Sequence, residues 1–567
     1  DGKLWVVEMA DYPYGTDGEG KHGGRVRFLT DTDGDGRMDE STLFLEGLSF
    51  PTGVMAWGKG VLVTASPDIL YAEDTNGDGK ADKREVLFTG FMEGNQQLRL
   101  NGLRYGLDNW VYCASGGHHA GFGAQNRIRV VSSGEEVALG SGDLRIRPDT
   151  HKVERLAGPS QFGRVRDDWG NWFGVQNSYP IWHYVLEERY LKRNPRVTTP
   201  DPRQQLRGQQ PEVFANKPPQ KRFHGFDHVG RYTSACGPSI YRDDWLFRRE
   251  EGLTHAFTCE PFSNLVQHHH LQQAGVSFIG KRAESTSKTD FLASADRWCR
   301  PVMTRTGPDG ALWVVDMYRY MIEHPDWLPE NGREELKPFY RFGEDRGRIY
   351  RVIRLGEERK VIPNLAKASP ERLVTYLADT NGVVRDGAQR LLVREGTSQV
   401  RSLLEAVVVS HERPEARLQA LATLNGLGLD AKVVGDALRD EHGAVRRFAV
   451  PFATDQDLVR LAKDPDARVR LQVAYELGER SGEVAGASLV EMAKQQGIDD
   501  FMVAAILSSL PRHFRQFASV AAELKHQEGL IRGLLSMAQA DGDDAQLLLE
   551  KVFHANGNTR TAMDFRL

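Results

Sequence analysis

The sequence predicts two unlike parts, an all-β six-bladed propeller over residues 1–357 and an all-α HEAT-like solenoid over residues 358–567. Two repeats carry that prediction. A D-G-x-L-W turn recurs through the first part, as Asp1-Gly2-Lys3-Leu4-Trp5, Asp108-Asn109-Trp110-Val111-Tyr112, Asp168-Trp169-Gly170-Asn171-Trp172 and Asp309-Gly310-Ala311-Leu312-Trp313. A D/E-x-x-x-V/A-R core recurs through the second, ending at Arg385, Arg417, Arg446 and Arg470. An Asp/Asn-Gly turn between apolar strands is the strongest short-range hairpin signal. One blade cannot bury both of its faces alone, so a hairpin unit returning about every 50 residues points to radial repetition. The first blade reads as lacking its leading strand, which would sit upstream of residue 1. In the second part the Arg-to-Arg intervals of 32, 29 and 24 residues suit stacked helix pairs, each Arg leading into an apolar run at 3–4 spacing. The acidic residue of each core is expected at the N-cap of the second helix.

Composition removes several function classes. With 73 basic against 78 acidic side chains the net charge is −5, without the basic face that nucleic acid needs. The mean hydropathy is −0.48, and no apolar run is long enough to span a membrane. Four cysteines, none in CxxC or CxxCH, make neither a disulfide scaffold nor a haem attachment. The sequence opens directly into a strand and reads as an excised or processed piece, so the lack of targeting signals says nothing of location.

Two acidic loops have the spacing of calcium sites. One offers Asp31, Asp33, Asp35, the Arg37 carbonyl and Asp39; the other offers Asp74, Asn76, Asp78, the Lys80 carbonyl, Asp82 and, at position 12, Glu85. The mouth of the propeller is predicted from geometry alone. The start of each innermost strand and the end of the next emerge on one face, and the D-G-x-L-W turns lie on the other. That places Arg99, Asn101, Gln161, Asn177, Arg300, Arg305, Tyr318 and Arg319 around a shared pocket suited to a polyhydroxylated or anionic ligand. His119, His183 and Glu260 are the candidate proton acceptors, with His324 also within reach. The run His268-His269-His270 reads as strand decoration in preference to a metal site. No hydrolase, zincin or nucleotide-binding motif appears.

The stretch GLSFPTGVMAWGKGVLVTASPDILYAEDTNGDGKADKREVLFTGF, with NQQLRLNGLRYGLDNWVY, FGRVRDDWGNWFG, TSACGPSIYR and RTGPDGALWVVDMYRYMIEHP, resembles the planctomycete-type membrane-bound dehydrogenase family. The resemblance implies an exported, periplasmic or cell-surface protein. Its propeller, related to soluble quinoprotein glucose/sorbosone dehydrogenases, would oxidise a sugar or related alcohol and pass electrons to a c-type haem domain outside this chain. Pyrroloquinoline quinone is the cofactor of the related class, and two departures stand against it. Leu98 occupies the place of that class's catalytic His, and Gly158-Pro159-Ser160 replaces its Arg-Asn-Pro. The rival expectations are a non-catalytic, calcium-stiffened propeller and solenoid binding polysaccharide or a protein partner, and a hydrolase or lyase acting through Glu260 and a His.

Overall fold

The computed structural model describes residues 2–117, 126–218, 229–396, 398–524, 526–539 and 546–548. Six antiparallel sheets follow one another along the first 352 residues as blades I to VI. The channel-side strands are Leu4–Glu8, Gly53–Trp57, Asn101–Tyr105, Arg164–Arg166, Cys236–Ile240 and Pro301–Thr306. Blades I and VI have three strands each, and Leu4–Glu8 pairs only with Gly24–Thr30. Blade II gains a hairpin, Arg127–Val130 with Glu136–Ala138, contributed by the chain between the second and third strands of blade III. Apolar side chains from adjacent blades fill the seams, as where Ile240, Ala256 and Leu271 meet Phe173 and Ile181.

The repeated turns close hairpins by one mechanism. Asp309 Oδ1 accepts the Ala311 N–H, and Gly310 takes φ +81°, a left-handed conformation that glycine adopts without cost. Asn109 occupies the same place at φ +64°, as Asn tolerates. In blade IV the accepting carboxylate is Asp167, which takes the N–H groups of Trp169 and Asn171 at 2.9 Å. Asp168 is thereby left available for the helical part.

Past residue 369 the chain is helical, and two of its repeated arginines, Arg417 and Arg446, form the rungs of a ladder. Arg417 donates to the carbonyls of His411 and Glu412, closing its own interhelical loop, and forks onto both oxygens of Asp440 at 2.7 and 2.8 Å. Arg446 closes the loop at Asp440 and Glu441 and forks onto Asp464, both bonds 2.7 Å. Planar guanidinium matched to planar carboxylate makes each rung directional. The acids are not the N-caps expected of them. Asp379, Asp440 and Asp464 instead accept the N–H of the residue two further on, and Asn381, His442 and Asp466 do the capping.

The helices lie against the D-G-x-L-W face. Asp386 bridges Arg166 and Arg242, each at 2.6 Å, and Arg242 and Arg385 both hold Asp168. Asn109 donates to Ala422 O at 3.1 Å, Arg447 to Asn171 Oδ1 at 2.8 Å, and Tyr190 stacks on Tyr475 at 4.3 Å. The turns thus do two jobs, reversing the chain and docking the helices.

Candidate functional site

On the opposite face, the ring centre holds a cavity of about 1370 Å³. Arg99, Asn101, Gln161, Asn177 and Arg319 all line it, as does Arg104, which sequence reasoning missed. Arg104 sits in the channel-side strand of blade III, where period-two alternation turns it toward the axis. Leu4, Val6 and Glu8 of blade I are also on its lining.

The polar wall divides into tethered and available groups. Asn101 donates to Arg99 O (2.9 Å) and Gln161 O (2.8 Å), and Gln161 Oε1 accepts the Asn177 N–H, so these three hold the rim together. Arg99 is 6% exposed, and its Nε has no hydrogen-bond partner. Arg319 is 7% exposed, with Nε and Nη1 both without one. Arg104 bonds only the neighbouring Leu103 carbonyl among the described residues. Burial lowers the pKa of the three lining guanidiniums, Arg99, Arg104 and Arg319, and the nearby Arg305 lowers Arg104 further. None of the three has a carboxylate within salt-bridge distance among the described residues. Buried donors without acceptors are costly, so these arginines carry unmet hydrogen-bonding capacity beside a lining that also includes Glu8, Asp316, Glu323, Glu344 and Asp345.

Three predicted pocket residues lie elsewhere. Arg300 is 4% exposed and spends its guanidinium on the carbonyls of Arg319, Pro261, Phe262 and Tyr320, bracing the mouth from behind. Arg305 stands in the channel-side strand of blade VI with Nε at 3.2 Å from Met303 Sδ, outside the cavity lining. Tyr318, at φ +48°, donates to Asp296 and stacks under Arg348.

The predicted proton acceptors fare worse. His119 lies outside the described residues. His183 does not reach the pocket, because it belongs to the third strand of blade IV, packed between Phe173 and Phe278 with Nδ1 3.0 Å from Ser277 Oγ. Burial holds it neutral, well below the ordinary histidine range. Glu260 is fully buried behind Thr233 and Ser234, which line the cavity and give it four hydrogen bonds from two backbone N–H groups and two hydroxyls. Burial pushes its carboxyl up to about 7 against those donors. His324 does line the cavity, but its Nδ1 accepts the Asp326 N–H, which places the proton on Nε2 facing Gln96 Oε1 at 2.7 Å. Glu323, 7% exposed, is the buried glutamate on the lining.

The two acidic loops share one fold. Asp31 and Asp74 each accept two glycine N–H groups, Gly34 and Gly36 or Gly77 and Gly79, at 2.6–2.8 Å. Asp33 and Asn76 accept from Asp35 and Asp78, which accept from Arg37 and Lys80. Asp39 and Asp82 close the loops onto Thr32 and Thr75. Carboxylate oxygens of Asp31, Asp33 and Asp39 gather within 4.8 Å of one another. Glu85 lies in the strand Lys83–Thr89 opposite Tyr71 and lines a separate cleft with Trp57 and Arg394. Cys236 and Cys259 face each other across one strand pair as free thiols.

Residues 1–355 match the model of the family described as Domain of unknown function (DUF7133), and the chain belongs to that family. Comparison with curated proteins finds no match. Among solved structures, a luciferin-regenerating enzyme aligns at 11% identity over 63% of this chain and 88% of its own, with a TM-score of 0.31. The PQQ-bound aldose sugar dehydrogenase of Streptomyces coelicolor aligns at 14% identity over 55% and 92%, TM-score 0.27. The apo soluble aldose sugar dehydrogenase of Escherichia coli aligns at 12% over 55% and 96%, TM-score 0.24. Alignments this loose transfer no residue role. No helix among the described residues is long and apolar enough to cross a membrane.

Proposed function

We propose that this DUF7133 member binds an acidic carbohydrate or related polyol in its ring-centre cavity. The observation that carries the reading is a pair of buried arginines of the cavity lining, Arg99 and Arg319, whose Nε atoms, with Nη1 of Arg319, have no hydrogen-bond partner. A carboxylate or sulfate would satisfy them, and the amide-rich rim suits hydroxyl groups. The test is calorimetry with uronic and aldonic acids beside their neutral sugars. Acidic ligands are expected to bind, and Arg319→Met is expected to weaken them by about 10- to 150-fold, the worth of one charge-assisted bond. Equal heats for neutral and acidic sugars, or an unchanged affinity in the variant, would refute it.

A second reading is a dehydrogenase acting on that ligand, with Glu323, a buried glutamate of the same lining whose Oε2 accepts the Ile322 N–H, as the candidate proton acceptor. In this reading the protein is of the exported membrane-bound dehydrogenase type, with a HEAT-type arm; a two-electron redox group at the mouth would have to take the hydride and pass its electrons singly to an acceptor such as a c-type haem outside this chain. Pyrroloquinoline quinone does not fit the residues present: the arginines match its carboxylates, but the histidine of the described lining, His324, has both ring nitrogens engaged. No step is derived through it. Calcium does fit, and the two loops would hold one ion each through their Asp and Asn side-chain oxygens and the Arg37 and Lys80 carbonyls, as braces for the connections in blades I and II.

A further inference from the structure

We propose that His255, His268 and His270 form a binding site for one divalent transition-metal ion of borderline softness, zinc above all, on the flank of blade V. The site follows from register. The strands Leu253–Glu260 and Leu265–Ala274 pair so that His255 lies directly opposite His270, and alternation brings His268 to the same face while His269 turns to the other. One ring nitrogen from each of the three lies within 4.8 Å of the others, and His255 Nδ1 is 2.9 Å from His268 Nε2. Tetrahedral zinc holds its imidazole nitrogens roughly 3.4 Å apart, inside that spread. His255 lies five residues from Glu260 along its strand, about 16 Å, so the cluster is separate from the mouth.

The surroundings suit the ion. Phe247 stacks on His255 (4.6 Å, 19°) and Phe257 on His268 (4.5 Å, 9°), which fixes both ring planes before any metal arrives. The buried Nε2 of His255 has no partner, so the cluster as it stands is not a completed hydrogen-bond network. His270 is half-buried and forms the accessible edge of the cluster. Three imidazoles and no carboxylate select zinc, cobalt, nickel or copper over calcium or magnesium.

The test is a titration of metal-stripped protein with Co2+ in excess calcium, so that oxygen-rich loops do not compete, read by visible d–d absorption, with zinc content measured in parallel. One Co2+ per chain is expected, displaced by one Zn2+. His270→Asn, at the accessible position, and His268→Gln should each weaken binding at least about tenfold while His270→Asn keeps the wild-type circular dichroism. Substoichiometric cobalt, or the same cobalt affinity in His270→Asn as in wild type, would overturn the proposal.

Discussion

Replacing Asp386 with alanine is the sharpest perturbation of the contact between helices and propeller. Its two carboxylate oxygens serve Arg166 Nη2 at 2.6 Å and Arg242 Nη1 and Nη2 at 2.6 and 3.1 Å, with Gln419 Nε2 adding a longer bond. The Arg166 and Arg242 side chains are 2% and 9% exposed, so water cannot replace the lost acid. Arg242 keeps Asp168, and Arg166 keeps the Tyr105 and Asp167 carbonyls. Breaking a buried pair from one side costs about 3–5 kcal/mol, and the retained partners place this case near the lower end. Urea unfolding at pH 7 should show that loss in the transition reporting the helical part, with Asp386→Asn intermediate. Burial raises the Asp386 carboxyl, but Arg166 and Arg242 outweigh it and hold it below the ordinary aspartate value. Its contribution is therefore fully present above about pH 4 and disappears as pH falls through the lower folded value, so wild type and variant converge only in strong acid. An Asp386→Ala protein within about 0.5 kcal/mol of wild type at pH 7 would refute the argument.

Two further outcomes follow from the same geometry. Glu260, raised to about 7, binds its proton more tightly folded than unfolded, so stability should decline from about pH 4.5 to 7. Glu260→Gln should remove that decline, as read from urea midpoints at pH 5 and 7.5, and an identical slope in the variant would exclude it. Calcium at 100 times its dissociation constant should add about 2.7 kcal/mol per loop, seen as a higher melting temperature. Asp31→Ala with Asp74→Ala should abolish that shift, and a double variant that still responds would remove both loops from consideration.

The blades were legible because one turn chemistry recurs, with Asp accepting from the strand that follows and Gly or Asn supplying the left-handed step. The helical repeat was legible from its arginines, but the role of its acids was not, since a carboxylate two residues before the cap and one at the cap differ little in sequence. Five predicted mouth residues converge, because strand ends at a ring axis have nowhere else to go. His183 failed for want of strand order: it follows a mouth-side loop but runs outward in the third strand, where its ring joins the seam with blade V. Glu260 was placed at the correct end of its strand, yet Thr233 and Ser234 stand between it and the cavity. The three-histidine cluster needed pairing register, which brings His255 across from His270 although 14 residues separate them in the chain.

The rungs of the arginine ladder also govern where the protein tolerates being cut. Arg417 and Arg446 each belong to two successive segments at once, shutting the loop beneath and gripping an aspartate supplied by the chain ahead, whereas Arg385 turns to Asp168 of the propeller and Arg470 stops at its own loop carbonyls. A C-terminal truncation placed just after Leu427 would strand Arg417, and one after residue 453 would strand Arg446, even though both fall between helices. Clean shortening has to end beyond the aspartate that completes the last retained arginine, so the safe lengths of this arm come in steps set by charge and not by helix boundaries.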